Sequence, residues 1–316
     1  MDDYPRTLME LESRFTTDAA CRDYLAGLRW PLGPCCRSCA GTEGWSTGRG
    51  LWMCAACGHQ LSLTAGTIFQ DTRTPLTLWF RAIWWVTSQK NGTSALGLQR
   101  VLGLGSYRTA WTWLHKLRRA MVRPGRNRLT DTVEVDETFV GGVEPGGGKR
   151  HVGKKALVIV AAEVRGRATG RIRLRRVTDS SANSLLPFVQ EAVAPGAVVI
   201  TDGLPSYCGL PDLGYRHDRR VVLGSGESVN ALLPRVHRVA SLLKRWLLGT
   251  HQGAVSREHL DYYLDEFTFR FNRRTSRHRG LLFYRLMEQA VAVDPLPYAA
   301  MVKSVRGRRK GGTHYP

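Results

Sequence analysis

The chain has 316 residues, 43% of them hydrophobic and 23% charged, ordinary proportions for a globular protein of two or three domains. Lysine and arginine outnumber aspartate and glutamate by 46 to 26, and this surplus of +20 points to a polyanionic partner, nucleic acid before an anionic membrane surface. No run of about 18 apolar residues is present to span a bilayer, and the acidic N-terminus lacks a signal-peptide core, so the expected compartment is the cytoplasm, at the nucleoid, with reduced cysteines.

Residues 1–30 read as one or two short helices, with Phe15, Cys21, Tyr24, Leu25 and Leu28 as an apolar face and Thr17 or Asp18 as a cap. Residues 31–70 contain two Cys-x-x-Cys pairs, Cys36/Cys39 and Cys54/Cys57, the pattern of a four-cysteine zinc site. Each pair suits a turn whose thiolates take adjacent corners of a tetrahedron. Trp45 and Trp52 are expected to cover this ribbon, which is too small to build a core without metal. Cys35 has the wrong spacing and is expected to stay free, while Cys21 and Cys208 read as buried thiols.

Residues 71–125 read as a helix-turn-helix region. Thr74-Pro75 starts a helix carrying Leu78, Trp79, Ile83, Trp84 and Val86, with threonine as cap and proline at the first position. Ser94 caps a second helix to Leu102, and a glycine turn leads into a third over 107–122. That third helix carries Arg108, Trp111, Trp113, His115, Lys116, Arg118 and Arg119, a composition suited to lying along DNA. The breaker-rich stretch 123–128 then marks a domain boundary.

From 130 the pattern changes to strands. Val133, Val135, Phe139 and Val140 are β-formers, and apolar and acidic residues alternate from Val133 to Glu137, so Asp136 emerges towards the end of a half-buried strand, with Glu134 two residues before it. A basic, glycine-rich loop over 146–155 follows, then strands over 155–164 and 170–177, and a helix capped by Ser180 or Ser181 and running to about Val193. A continuous apolar run, Ala197-Val-Val-Ile, reads as a buried strand that delivers Asp202 at its end. Helices over 232–248, with Arg235, Arg238, Lys244 and Arg245, and over 261–272, with inward-facing aromatics, complete the domain. Two strands that each end in an aspartate can bring carboxylates together at one sheet edge. Paired ions held by carboxylates are the apparatus for in-line displacement at phosphorus.

Four motifs in order, Val135-Asp-Glu-Thr-Phe-Val-Gly-Gly142, Thr201-Asp-Gly-Leu-Pro-Ser-Tyr207, Lys244-Arg-Trp-Leu-Leu-Gly-Thr-His-Gln-Gly253 and Tyr263-Leu-Asp-Glu-Phe-Thr-Phe-Arg-Phe-Asn-Arg-Arg274, resemble the catalytic domain of ISXO2-like insertion-sequence transposases of the IS1595 family. The resemblance implies an α/β, ribonuclease-H-like domain over 130–290, a mixed sheet flanked by helices, after the zinc ribbon and helix-turn-helix. A basic tail over 291–316, rich in Lys303, Arg306, Arg308, Arg309 and Lys310, follows. It further implies end cleavage and strand transfer with Mg²⁺ or Mn²⁺, two ions at the site, on terminal inverted repeats and target DNA, by a homo-oligomer. Asp136 and Asp202 would be catalytic metal ligands, and Lys244 would contact phosphate near the scissile bond. Such enzymes place an acid about 35 residues past the second aspartate, and 237 − 202 = 35 lands on His237, which shares a helical face with Lys244. Glu227 is the alternative third ligand, and Glu134 a possible helper. Arg108, Lys116, Arg118, Arg119 and Arg245 are the expected DNA contacts. A catalytically silent DNA-binding descendant and a structure-specific nuclease are the rival readings.

Overall fold

A computed structural model describes residues 3–123, 125–141, 155–221, 229–253 and 255–303. The loop expected over 146–155 (all but Lys155), the Gly224–Gly226 stretch, Glu227 and the basic tail from 304 onward lie outside the described residues. The chain divides into two compact units, one built from 1–123 and 275–304, the other from 124–274 with 305–316.

In the first unit, α1 (Leu8–Arg14) and α2 (Asp18–Arg29) are capped by Thr7 and Thr17, whose hydroxyls accept from backbone amides of the first turn. Cys21 and Leu25 are fully buried from α2, as its apolar spacing requires. The ribbon follows as β1 (Gly44–Ser46), β2 (Leu51–Cys54) and β3 (Gln60–Ser62), an antiparallel sheet in sequence order. Gly44 is obligatory here, because a Cβ would lie 2.2 Å from the Met53 carbonyl oxygen. Trp45 is 54% exposed and does not cover the ribbon. Then come α3 (Leu76–Ser88), α4 (Ala95–Leu102) and α5 (Tyr107–Ala120). Thr74 does not cap α3: Pro75 occupies the cap position, and the Leu76 amide donates instead to Asp18 Oδ1 at 2.6 Å. Ser94 and Ser106 cap α4 and α5, and Gly103 at φ 61° supplies the left-handed turn between them. Trp79 of α3 and Trp113 of α5 stack at 3.8 Å.

The second unit is organised on a five-stranded sheet. Its strands are β4 (Thr132–Val140), β5 (Ala156–Arg165), β6 (Ala168–Val177), β7 (Val198–Thr201) and β8 (Arg216–Arg219), in the order β6-β5-β4-β7-β8. The β4–β5–β6 meander is antiparallel, whereas β7 runs parallel to both β4 and β8. This mixed order is that of a ribonuclease-H-like fold. The helix α6 (Ala182–Ala192) crosses between β6 and β7, covering one face with Leu185, Phe188 and Val189 against Val133, Val135 and Ile159. On the other face α7 (Val229–Leu232), α8 (Pro234–His251) and α9 (Leu260–Asn272) pack Val236, Val239, Leu243 and Tyr262 on Val158 and Val160. The helix expected over 232–248 is α8, which starts two residues later, where Pro234 takes the first-turn position proline favours. The β6 edge is blunted by Asn272, whose side chain both accepts from Ile172 N at 2.7 Å and donates to Ile172 O at 3.2 Å.

The last helices, α10 (Arg279–Ala290) and α11 (Tyr298–Lys303), belong to the first unit. Phe283 of α10 is fully buried among Phe15, Tyr24 and Phe80. Met301, expected in the basic tail, is fully buried in α11. Cys208, expected to be buried, is exposed.

Candidate active site and metal centre

The register of the sheet places the two aspartates. Parallel pairing of β4 with β7 sets Glu134 opposite Ile200, so two residues further on Asp136, in the middle of β4 rather than near its end as the sequence suggested, comes level with Asp202, just past the end of β7. Side chains two apart in a strand share a face, so both carboxylates lie on the side covered by α8. Each is aimed by a backbone amide: Glu137 N donates to Asp136 Oδ1 at 2.8 Å, and Leu204 N to Asp202 Oδ1 at 3.0 Å. Burial pushes Asp136 up to about 7; the Glu137 amide opposes that shift, and the Asp202 charge adds to it.

The third candidate arrives by a capping contact. Glu134 is fully buried, and its carboxylate accepts from Arg235 N at 2.7 Å, Val236 N at 3.1 Å and Arg235 Nη1 at 3.0 Å. It therefore satisfies the first amides of α8 and puts negative charge at the positive end of that helix. His237 is the next residue, and its Nε2 stands 3.7 Å from Asp136 Oδ2. In these contacts Glu134 anchors the start of α8. Glu134→Ala leaves the Arg235 charge and two amides unmatched, and chemical denaturation is expected to show a loss of about 3 kcal/mol. An unchanged midpoint would remove this anchor. Lys244 lies two turns beyond His237 and is exposed. Partial desolvation, then the charge of Lys155, lower its pKa.

One acid in this region was not singled out by sequence reasoning. Glu137 lies on the opposite face from Asp136, hydrogen-bonded by the Tyr207 hydroxyl. It is raised to about 7 by burial, against the pull of Tyr207, with Asp136 and Asp202 adding. Its signal was present in the motifs themselves, since Glu137 adjoins Asp136 and Tyr207 closes the turn that starts at Asp202.

In the ribbon, Cys36 and Cys57 bring their sulfurs to 3.5 Å, and Cys39 and Cys54 theirs to 3.6 Å. Sulfurs bound tetrahedrally at the Zn–S length stand about 3.8 Å apart, so the donor set fits zinc. Among the described residues these four are the one group of three or more such ligands whose donor atoms all lie within 4.8 Å of one another. Asp136, Asp202 and His237 share an edge but are gathered less closely. Cys35 stays outside the group, its sulfur 3.6 Å from the Ala40 carbonyl oxygen.

Residues 128–272 match the ISXO2-like transposase domain, and residues 16–60 match the transposase zinc-ribbon domain. The chain belongs to the IS1595 family of ISXO2-like transposases. A relative from Halobacterium salinarum, an uncharacterized protein in transposable element ISH50, is 28% identical over 280 residues, which cover 81% of this chain and 91% of that protein. Two solved structures align loosely. The catalytic core domain of BIV integrase does so at 14% identity and a TM-score of 0.29, over 47% of this chain and 86% of its own. The Mos1 strand transfer complex does so at 15% identity and a TM-score of 0.27, over 75% and 79%. These alignments are too loose to bear on mechanism.

In this transposase-family chain the basic residues of α5 are not one surface. Arg118 is 2% exposed and His115 is fully buried, so neither can lie against DNA in this fold, contrary to the sequence expectation. Trp113 is likewise buried, in its stack on Trp79. Lys116 is half-buried, 6.0 Å from the Trp79 ring, and burial lowers its pKa. Arg119 is half-buried, and Arg108 is exposed, 3.8 Å from the Tyr298 ring. Arg245 is exposed on α8 beside Lys244. No helix of the described residues is long and apolar enough to cross a membrane.

Proposed function

We propose that this protein is an active transposase, which hydrolyses a phosphodiester at each end of an insertion sequence and joins the freed 3′-hydroxyl to target DNA. The observation that carries this reading is the register that sets Asp136 level with Asp202 while Glu134 anchors α8 and its His237 beside them. Two adjacent acids, one of them pushed up to about 7 by burial and its neighbour's charge, form a place where a cation relieves repulsion. Two Mg²⁺ or Mn²⁺ ions bound there would activate the attacking oxygen and stabilise the leaving one. Asp136, Asp202 and His237 would hold them, and the imidazole favours Mn²⁺ over Mg²⁺ because it is the softer ligand.

Lys244 and Arg245 would neutralise backbone phosphates beside this edge, and Arg108, with Lys116 and Arg119, would do so in the first unit. The zinc ribbon and helix-turn-helix would hold the terminal inverted repeats, in an oligomer that pairs two ends. Zinc would be held by Cys36, Cys39, Cys54 and Cys57. The deciding test incubates the purified full chain with end-bearing DNA and Mn²⁺ and scores nicked ends and joined products separately. Joined products are expected. Nicks without joining would make it a nuclease. Binding with neither product would make it a silent DNA-binding descendant, the reading that a histidine at the third position favours.

A further inference from the structure

Half-buried Glu137 and fully buried Tyr207 form a pair that neither metal ligation nor phosphate contact requires. Successive residues of β4 face opposite sides of the sheet, so Asp136 turns toward α8 and Glu137 toward the face covered by α6. There Tyr207, with no exposed surface, donates its hydroxyl to Glu137. Tyr207 ends the short 3₁₀ turn Pro205–Tyr207, which follows directly from Asp202. Leu204 ties the two ends of that segment: its amide donates to Asp202 Oδ1 at 3.0 Å, and its carbonyl accepts from Tyr207 N at 3.2 Å. The contacts form a chain that runs from Asp136 to Glu137, across to Tyr207, back through Leu204 and onto Asp202.

We infer that the Glu137–Tyr207 hydrogen bond is a positioning device that sets how far apart the Asp136 and Asp202 carboxylates stand, and so how tightly the site holds a divalent cation. The inference rests on the reading that these two aspartates bind the ions. Its physical basis is an asymmetry between them. Asp136 sits inside a β4–β5 ladder that continues to Val140, so its backbone is fixed. Asp202 lies one residue past the end of β7 at Thr201, where the ladder no longer holds it. Two like charges placed side by side repel, and the carboxylate on the less constrained backbone is the one that would drift. The turn behind Asp202 is held at Gly203 by Arg219 and at Ser206 by the Ser180 carbonyl, but of its contacts the one through Tyr207 ties it to the strand that carries Asp136. Neither residue touches the ion in this arrangement; they act through the ligands' backbone.

The test uses the full-length, zinc-loaded protein. Mn²⁺ binding is titrated by electron paramagnetic resonance of the free ion, without DNA, alongside the Mn²⁺ concentration that gives half-maximal end cleavage and the melting temperature. Tyr207→Phe is expected to weaken Mn²⁺ binding roughly ten- to hundredfold, the loss typical for a partner of a metal ligand. The half-saturating concentration should move by the same factor, while cleavage at saturating Mn²⁺ recovers to near the wild-type rate. Glu137→Gln keeps an oxygen that accepts from Tyr207, and should bind Mn²⁺ far more nearly as the wild type does. If Tyr207→Phe fails to fold, Glu137→Ala breaks the same bond and is read the same way. Unchanged Mn²⁺ affinity on breaking the bond overturns the inference. So does a greater loss in Glu137→Gln than in Tyr207→Phe, which would make Glu137 a ligand. A wild-type protein that takes up no Mn²⁺ instead overturns the two-aspartate reading beneath it.

Discussion

His237→Ala is expected to lower end cleavage by at least about a hundredfold, because losing a ligand outright should cost no less than losing a ligand's partner. Terminal DNA binding by the same variant should be unchanged, since the residues proposed to hold DNA remain. The geometry behind this is specific: His237 follows the two amides that Glu134 caps, and the imidazole stands 3.7 Å from Asp136 Oδ2. His237→Glu should keep cleavage and shift the metal preference from Mn²⁺ toward Mg²⁺, since a carboxylate is a harder ligand than imidazole. Cleavage at the wild-type rate by the alanine variant would remove His237 from the site and return attention to Glu227. The pair of substitutions separates a ligand from a residue that merely lines the groove, because only a ligand is rescued by glutamate together with a changed metal preference.

Removing zinc is expected to have the largest effect on folding. The ribbon strands are three or four residues long, and few of their side chains are buried, so the metal supplies much of what holds them. Structural zinc is worth about 10–16 kcal/mol in zinc-finger peptides. Cys57→Ser, or chelation, should release the metal and raise amide exchange across the ribbon sheet to the level of an unfolded segment. Cys35→Ser should leave one zinc per chain, as its thiol lies outside the four-sulfur group. Zinc lost in the Cys35 variant and kept in the Cys57 variant would sink the assignment. The second unit has its own two cores and should keep its exchange protection in either case.

The residues that the sequence made legible are those whose role follows from spacing. Alternation along β4 marked Asp136 as a strand acid, though it lies mid-strand rather than near the end, the apolar run of β7 put Asp202 at the end of another strand, and the two Cys-x-x-Cys pairs gave the ribbon its ligands. What stayed hidden depends on contacts between distant segments. Glu134 and Arg235 are 101 positions apart, which conceals the cap that starts α8, so Glu134 read as one more acid near the site. Glu137 and Tyr207 are 70 positions apart, and no periodicity joins them. Composition also misled: Arg118 looks like a phosphate contact in a basic helix, yet the helix turns it inward. A charged side chain with a long apolar stem can satisfy either surroundings, and only the packing decides.

The return of residues 275–304 to the first unit bears on how the protein is made. Synthesis proceeds from the N-terminus at about 5–20 residues per second, and domains generally fold as units as they emerge. Here the ribbon and the three helices of 76–120 leave the ribosome first, without Phe283 to fill the space among Phe15, Tyr24 and Phe80. The whole 124–274 unit must be translated before α10 arrives. The segment made first is therefore completed last. A chain truncated after α9 would carry every residue proposed for catalysis and still leave that aromatic cluster open, a hydrophobic surface for chaperones and proteases to act on.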